Sequence, residues 1–172
     1  MADQPDRRGF LKVATCALGG GLGLVVAAPV LRFVIDPATQ TTVTTPSEPI
    51  DLGPAERFHG DQPTRVEIVA PMIKDGWTSA RDVVLGAAWI QQKGDKLVAF
   101  SAVCPHLGCG VGYDGAQFQC PCHDSKFARA DGAAQSGPSK RGLDPLDLKV
   151  VDGRVKLTWA SFKLDQAERE LA

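Results

Sequence analysis

The chain has 172 residues and a formal net charge of −1, enough for one domain of ordinary size plus a short extra segment. It has no basic patch with interleaved aromatics, so nothing points to nucleic acid as a partner. Few aromatics beside 18 glycines and 12 prolines, with no fixed-period repeat, favour short strands and turns, hence an all-β class.

Taken in order, Asp6-Arg7-Arg8-Gly9-Phe10-Leu11-Lys12 sets an arginine pair ahead of an apolar run. It resembles a twin-arginine export signal, a route for proteins that fold before they are exported. A basic flank on an ordinary anchor explains the same charges. Residues 13–31 carry no charge, and about nineteen residues rise about 28 Å as a helix, close to the hydrocarbon thickness of a bilayer. Arg7, Arg8 and Lys12 precede this run and Arg32 alone follows closely, which sets the N-terminus in the cytoplasm. The glycines at 19–21 and 23 suit close approach to another membrane helix. A signal peptide cleaved near Ala27-Ala28 is the alternative; Pro29 and the length of the run favour a retained anchor over 1–35. Cys16 reads as a lipid-facing or packing residue.

Residues 36–50 shift to Thr, Pro and single polar residues, an extended linker and a hinge candidate. Residues 51–163 read as a small β domain. Arg65-Val66-Glu67-Ile68-Val69 alternates, and 87–92 and 97–100 flank a Lys93-Gly94-Asp95-Lys96 turn. Asp114-Gly115 and Asp152-Gly153 mark two further tight turns. Trp77, Trp89 and Trp159 are expected to pack in the core. Residues 164–172 are expected to be a solvated tail rather than a short amphipathic helix.

Four of the 5 cysteines and two of the 3 histidines lie in Cys104-Pro105-His106-Leu107-Gly108-Cys109 and Cys120-Pro121-Cys122-His123. One Cys and one His come from each stretch, a mixed set suited to an iron pair in which one iron keeps thiolates and the other takes imidazoles. Cys109 and Cys122 are then left over. Zinc also accepts Cys and His at such spacing. His59 stands in no motif and reads as a surface histidine.

The two stretches together resemble the Rieske 2Fe-2S proteins, in particular the branch belonging to quinol-oxidising cytochrome bc-type complexes. That resemblance implies an antiparallel β-sandwich head with a cluster-binding subdomain, preceded by one transmembrane helix. It implies thiolate ligation of one iron by Cys104 and Cys120, imidazole ligation of the other by His106 and His123, and a disulfide between Cys109 and Cys122. The disulfide would separate this chain from ring-hydroxylating oxygenase domains and agrees with an oxidising compartment. Zinc is the weaker reading, since it accounts neither for Leu107-Gly108 nor for the extra cysteines. The segment from Ser136 to Gly142 resembles the proline loop, here with Pro138, that covers the cluster. Implied partners are cytochrome b, a c-type cytochrome, quinol and membrane lipid. The chain would be the electron-transfer subunit of an oxidoreductase in a bacterial cytoplasmic membrane, its head on the outer side. The small subunit of a periplasmic molybdenum oxidase of the arsenite-oxidase kind is the alternative.

One run departs from the resemblance. High-potential members carry C-H-G-S-x-Y, with Ser and Tyr donating hydrogen bonds to sulfur; here the run is Cys122-His123-Asp124-Ser125-Lys126-Phe127. Ser125 is kept, Tyr becomes Phe127, and Asp124 replaces Gly, where a carboxylate turned toward the cluster would disfavour an added electron. Leu107, Asp124, Ser125, Phe127 and Pro138 are the expected tuning residues. Losing one hydrogen bond to a charged acceptor lowers the potential by roughly 65–130 mV, which suits menaquinol better than ubiquinol.

Overall fold

A computed structural model describes residues 6–39 and 48–172, which form two compact units. The first unit holds helix α1, Arg7–Thr39, and the turn at 74–79. The helix is long and apolar enough to cross a membrane, and its large apolar side chains, such as Leu22, Val26 and Phe33, are exposed. Its start is capped by Asp6, whose carboxylate accepts from the Arg8 N–H at 3.3 Å. The helix continues through Pro37 to Thr39, so residues 36–39 are helical rather than part of an extended linker; Arg32 and Asp36, one turn apart, pair at 3.4 Å. The remainder of that linker, 40–47, lies outside the described residues. In the turn, Asp75 Oδ1 accepts from the Trp77 and Thr78 N–H groups at 2.8 and 2.7 Å. Trp77 is 64% exposed rather than a core residue. Its ring stacks on Phe33 at 5.9 Å and its indole N–H donates to the Phe33 carbonyl at 3.3 Å.

The second unit is the β head. Its strands are β1 (Ile50–Pro54), β2 (Thr64–Lys74), β3 (Ser79–Lys93), β4 (Lys96–Ser101), β5 (Gly112–Tyr113), β6 (Phe118–Gln119), β7 (Lys126–Phe127), β8 (Ala134–Ser136), β9 (Pro145–Val151) and β10 (Arg154–Thr158). They form a six-stranded sheet in the order β1-β10-β9-β4-β3-β2 and a four-stranded sheet in the order β5-β6-β7-β8. The three expected hairpins are present: Trp89 faces Phe100 across β3 and β4, Tyr113 faces Phe118 across β5 and β6, and Val155 faces Val150 across β10 and β9. Asp152 and Gly153 take φ values of 50° and 71°, the left-handed pair that a two-residue hairpin turn needs.

Strand β3 is buried on both faces over residues 87–91, and this organises the head. Ala88 and Ile90 enter one core with Ile68, Ala99, Val155, Leu157 and Trp159. Ala87 and Trp89, pointing the opposite way, enter a second core with Phe100, Val111, Phe118, Phe127, Cys104 and Cys120. Alternation of side chains along a strand produces the division, and the second core ties the six-stranded sheet to the small sheet carrying the cysteine loops.

Candidate metal centre

The loop at 104–109 leaves the end of β4 and closes on itself. The Cys104 N–H donates to the Cys109 carbonyl at 2.8 Å and the Gly108 N–H to the Cys104 carbonyl at 2.9 Å. Gly108 has φ +81°, a left-handed value that glycine adopts at little cost. Trp89 steadies the return of the loop from the core: its buried indole N–H donates to the Val111 carbonyl at 2.9 Å. The second loop, 120–125, sits between β6 and β7 and is closed by the Cys120 N–H donating to the Ser125 carbonyl at 2.9 Å.

Cys109 and Cys122 form a disulfide across the two loops. Their sulfurs and that of Cys120 lie within 4.8 Å of one another, but the bonded pair has no thiolate to offer a metal. The disulfide therefore leaves Cys104 and Cys120 as the free thiols of the two loops. Both are buried and unpaired. The imidazoles of His106 and His123 meet edge to face, with ring centroids 4.8 Å apart; His106 is half-buried and His123 exposed. The four expected ligand residues thus come together as two buried thiols and two accessible imidazoles, and His59 stays apart as an exposed residue ending a short 3-10 helix.

This donor set fits an iron–sulfur pair. Burial pushes the Cys104 thiol above its ordinary range, opposed by the His106 and Leu107 N–H groups that donate to its sulfur, while the neighbouring Cys120 raises it further. A thiol raised in this way, as that of Cys104 is, becomes a thiolate only against a strong positive charge such as a metal, and the His106 and Leu107 N–H donors are already aimed at where that negative charge would rest.

The loop after β8 is fitted to the second cysteine loop. Ser125 is fully buried, and its Oγ accepts from the Ser139 N–H at 3.3 Å, which leaves its own hydroxyl proton free to be donated. Pro138 is exposed, as is Leu107 at the tip. Phe127 is fully buried, opposite Phe118 in the small sheet. Asp124 has φ 55°, which explains the glycine usual in the resembled run. Its carboxylate bonds to the Gln119 amide at 2.5 Å and faces Lys126 at 3.8 Å, a surface arrangement that screens its charge.

Sequence reasoning missed Arg141, Asp144 and the closing segment of the chain. Arg141 and Asp144 form a buried two-point ion pair, both bonds 2.8 Å, and the segment after Ser161 folds onto the first cysteine loop rather than into solvent. Asp165 donates its N–H to the Pro105 carbonyl at 2.9 Å, and Arg141 donates to the Lys163 and Gln166 carbonyls, each at 2.8 Å. No local pattern announces the docking of that segment, because each of these contacts with it joins residues more than twenty positions apart.

Comparison with known proteins agrees with this geometry. The model of the Rieske [2Fe-2S] domain family matches residues 54–151. The cytochrome b6-f complex iron-sulfur subunit of Chlorobaculum tepidum is 31% identical over 161 residues, covering 90% of this chain and 76% of that protein. The menaquinol:cytochrome c reductase iron-sulfur subunit of Bacillus subtilis is 26% identical over 163 residues, covering 92% of this chain and 94% of that protein. With the domain match spanning more than half of its length and placed over the paired cysteine loops, the chain belongs to the Rieske [2Fe-2S] family.

Proposed function

We propose that this protein is the membrane-anchored electron-transfer subunit of a quinol:cytochrome oxidoreductase, with Cys104 and Cys120 holding one iron of its 2Fe-2S cluster and His106 and His123 the other. The observation that carries the reading is the pairing of two buried thiols with two accessible imidazoles across a disulfide-joined pair of loops.

The cluster, when bound, supplies a one-electron acceptor whose two neutral imidazole ligands favour a raised potential. The protein supplies the rest. The half-buried His106 and exposed His123 present ring nitrogens at the surface, where one accepts a hydrogen bond from a quinol hydroxyl and then holds its proton. Exposed Leu107 gives that tip an apolar contact for the quinol ring, and the disulfide keeps the two histidine loops in register. The electron leaves toward a cytochrome, in keeping with the cytochrome complexes named for the relatives; those names favour this assignment over the small subunit of a molybdenum oxidase.

Menaquinol is the substrate we assign. Phe127 lacks the hydroxyl that would raise the potential, and the B. subtilis relative is named for menaquinol. Asp124 adds little, since Gln119 and Lys126 hold its carboxylate. The single-pass helix carries its arginine pair at the cytoplasmic end and the head on the outer side, the pair serving as a twin-arginine signal.

Extraction in mild detergent, followed by redox titration monitored by electron paramagnetic resonance, tests the assignment. Copurification with b- and c-type cytochromes and a midpoint in the lower part of the −150 to +300 mV range are expected. A diamagnetic zinc protein would end the electron-transfer reading, and a midpoint at the top of the range would remove the menaquinol preference.

A further inference from the structure

The segment at 161–172 is a built element. Phe162 and Leu171 bridge antiparallel, the Lys163 N–H donates to the Glu170 carbonyl and the Ala172 N–H to the Ser161 carbonyl, each at 2.9 Å, and the Lys163 ammonium pairs with Glu170 at 2.8 Å. It is seated on the Arg141–Asp144 pair, whose side chains are only 5% and 4% exposed. A buried ion pair is tolerated when its remaining hydrogen-bonding capacity is filled. Here the Lys163 and Gln166 carbonyls take further Arg141 N–H groups, and Arg169 donates to Asp144 Oδ1 at 2.9 Å. Without the segment, a buried guanidinium would lose two of its acceptors, which is why the segment docks although most of its side chains are exposed.

Its free edge reaches the first cysteine loop at two points. The Asp165 N–H meets the carbonyl of Pro105, the residue between Cys104 and His106. Asp165 holds φ 53° to do so, a left-handed value that aspartate tolerates better than most residues. Beside it, Leu164 Cδ1 fills the space left by Gly108, where a Cβ would come within 3.1 Å. The second loop is braced from elsewhere, by Ser139 on Ser125, and Ser139 Oγ in turn donates to the Arg141 carbonyl at 2.8 Å. Arg141 is thus the common support of the braces behind both ligand loops.

We infer that the C-terminal segment, through Leu164 and Asp165 and seated by Arg141, is a positioning element that sets the His106 loop around the cluster. The loop that carries His106 is held at Cys109 by the disulfide and at Pro105 by Asp165, so loosening the second hold changes the direction of the imidazole as well as the stability of the head. The inference rests on the ligand assignment above, and its test separates the two.

The full-length holoprotein is compared with Leu164→Ala, Asp165→Pro and, as a control for stability alone, Val155→Ala in the distant core. Proline removes the Asp165 N–H and cannot take its positive φ. The segment variants are expected to shift the g-values of the reduced cluster, to shorten the half-life of its signal on warming at least tenfold, and to change the electron-binding equilibrium at least threefold, about 28 mV at 59 mV per tenfold. The Val155→Ala control is expected to lower Tm with g-values and midpoint unchanged. If Asp165→Pro fails to retain a cluster, Leu164→Ala decides. Segment variants that lose Tm yet keep the g-values, half-life and midpoint of the intact protein overturn the inference. An intact protein without a 2Fe-2S spectrum overturns the ligand assignment instead.

Discussion

Gly137 lies directly against Ser125: a Cβ at 137 would stand 2.5 Å from the Ser125 Cα and 2.8 Å from its nitrogen. The loop after β8 can approach the second cysteine loop only because residue 137 has no side chain, and its φ of +89° adds a second requirement for glycine. Gly137→Ala is therefore expected to destabilise the head by about 2–5 kcal/mol, combining about 1–2 for the left-handed backbone and about 1–3 for overpacking. The Tm of the variant and the visible absorbance of its cluster check this; an alanine variant with unchanged Tm would show that the loop yields without cost.

The Cys109–Cys122 disulfide closes a loop of sequence separation 13. A loop of about that size contributes about 3 kcal/mol by restricting the unfolded chain. The Cys109→Ser, Cys122→Ser double variant is expected to lose that much in denaturant titration and to release its cluster faster, while Cys16, exposed on the helix, can be replaced without effect on either measurement.

Phe127→Tyr is expected to raise the midpoint by roughly 65–130 mV, the equivalent of one hydrogen bond to a charged acceptor. Ser125→Ala, which removes the hydroxyl held against Ser139, is expected to lower it by a similar amount. Redox titration at neutral pH reads both; an unmoved midpoint in Phe127→Tyr would mean that the hydroxyl finds no sulfur within reach.

Asp51 bonds to Arg154 at 2.7 and 2.9 Å and to Lys156 at 2.8 Å, tying β1 to β10. The Arg154 guanidinium, then Lys156 and the Gly53 N–H, hold its carboxyl well below the usual carboxylate range. A carboxyl lowered on folding stabilises the head above its unfolded pKa, about 3.9, and loses that contribution as the pH falls further. Asp51→Asn should therefore lower Tm at pH 7 and flatten its fall between about pH 4 and pH 2. A variant whose acid limb parallels that of the intact protein would assign the acid sensitivity to other carboxylates.

What could be read from the chain follows the range of the interactions responsible. The two Cys/His motifs, the uncharged helix, and the hairpins at Lys93-Gly94, Asp114-Gly115 and Asp152-Gly153 are each marked by neighbours a few positions apart, and for the helix and hairpins short-range sterics and solvation act before any tertiary contact forms. The glycine expected at 124 is understood in the same local terms, because Asp124 occupies a left-handed backbone.

The tertiary structure decided the rest, through contacts between distant positions. Whether Trp77 is buried depends on which strands pack over it, and the turn at 74–79 places it on Phe33. The direction of the Asp124 carboxylate depends on Gln119 and Lys126. The last nine residues look solvated by composition, yet the segment that carries them docks because a guanidinium buried at 141 draws the Lys163 and Gln166 carbonyls to it. The two Cys/His stretches, by their resemblance to the Rieske proteins, thus implied that such a cluster would be held and by which residue types. Only the folded chain decided what stands behind those residues, since a buried charge selects its partners by position in space and leaves no periodic mark along the sequence.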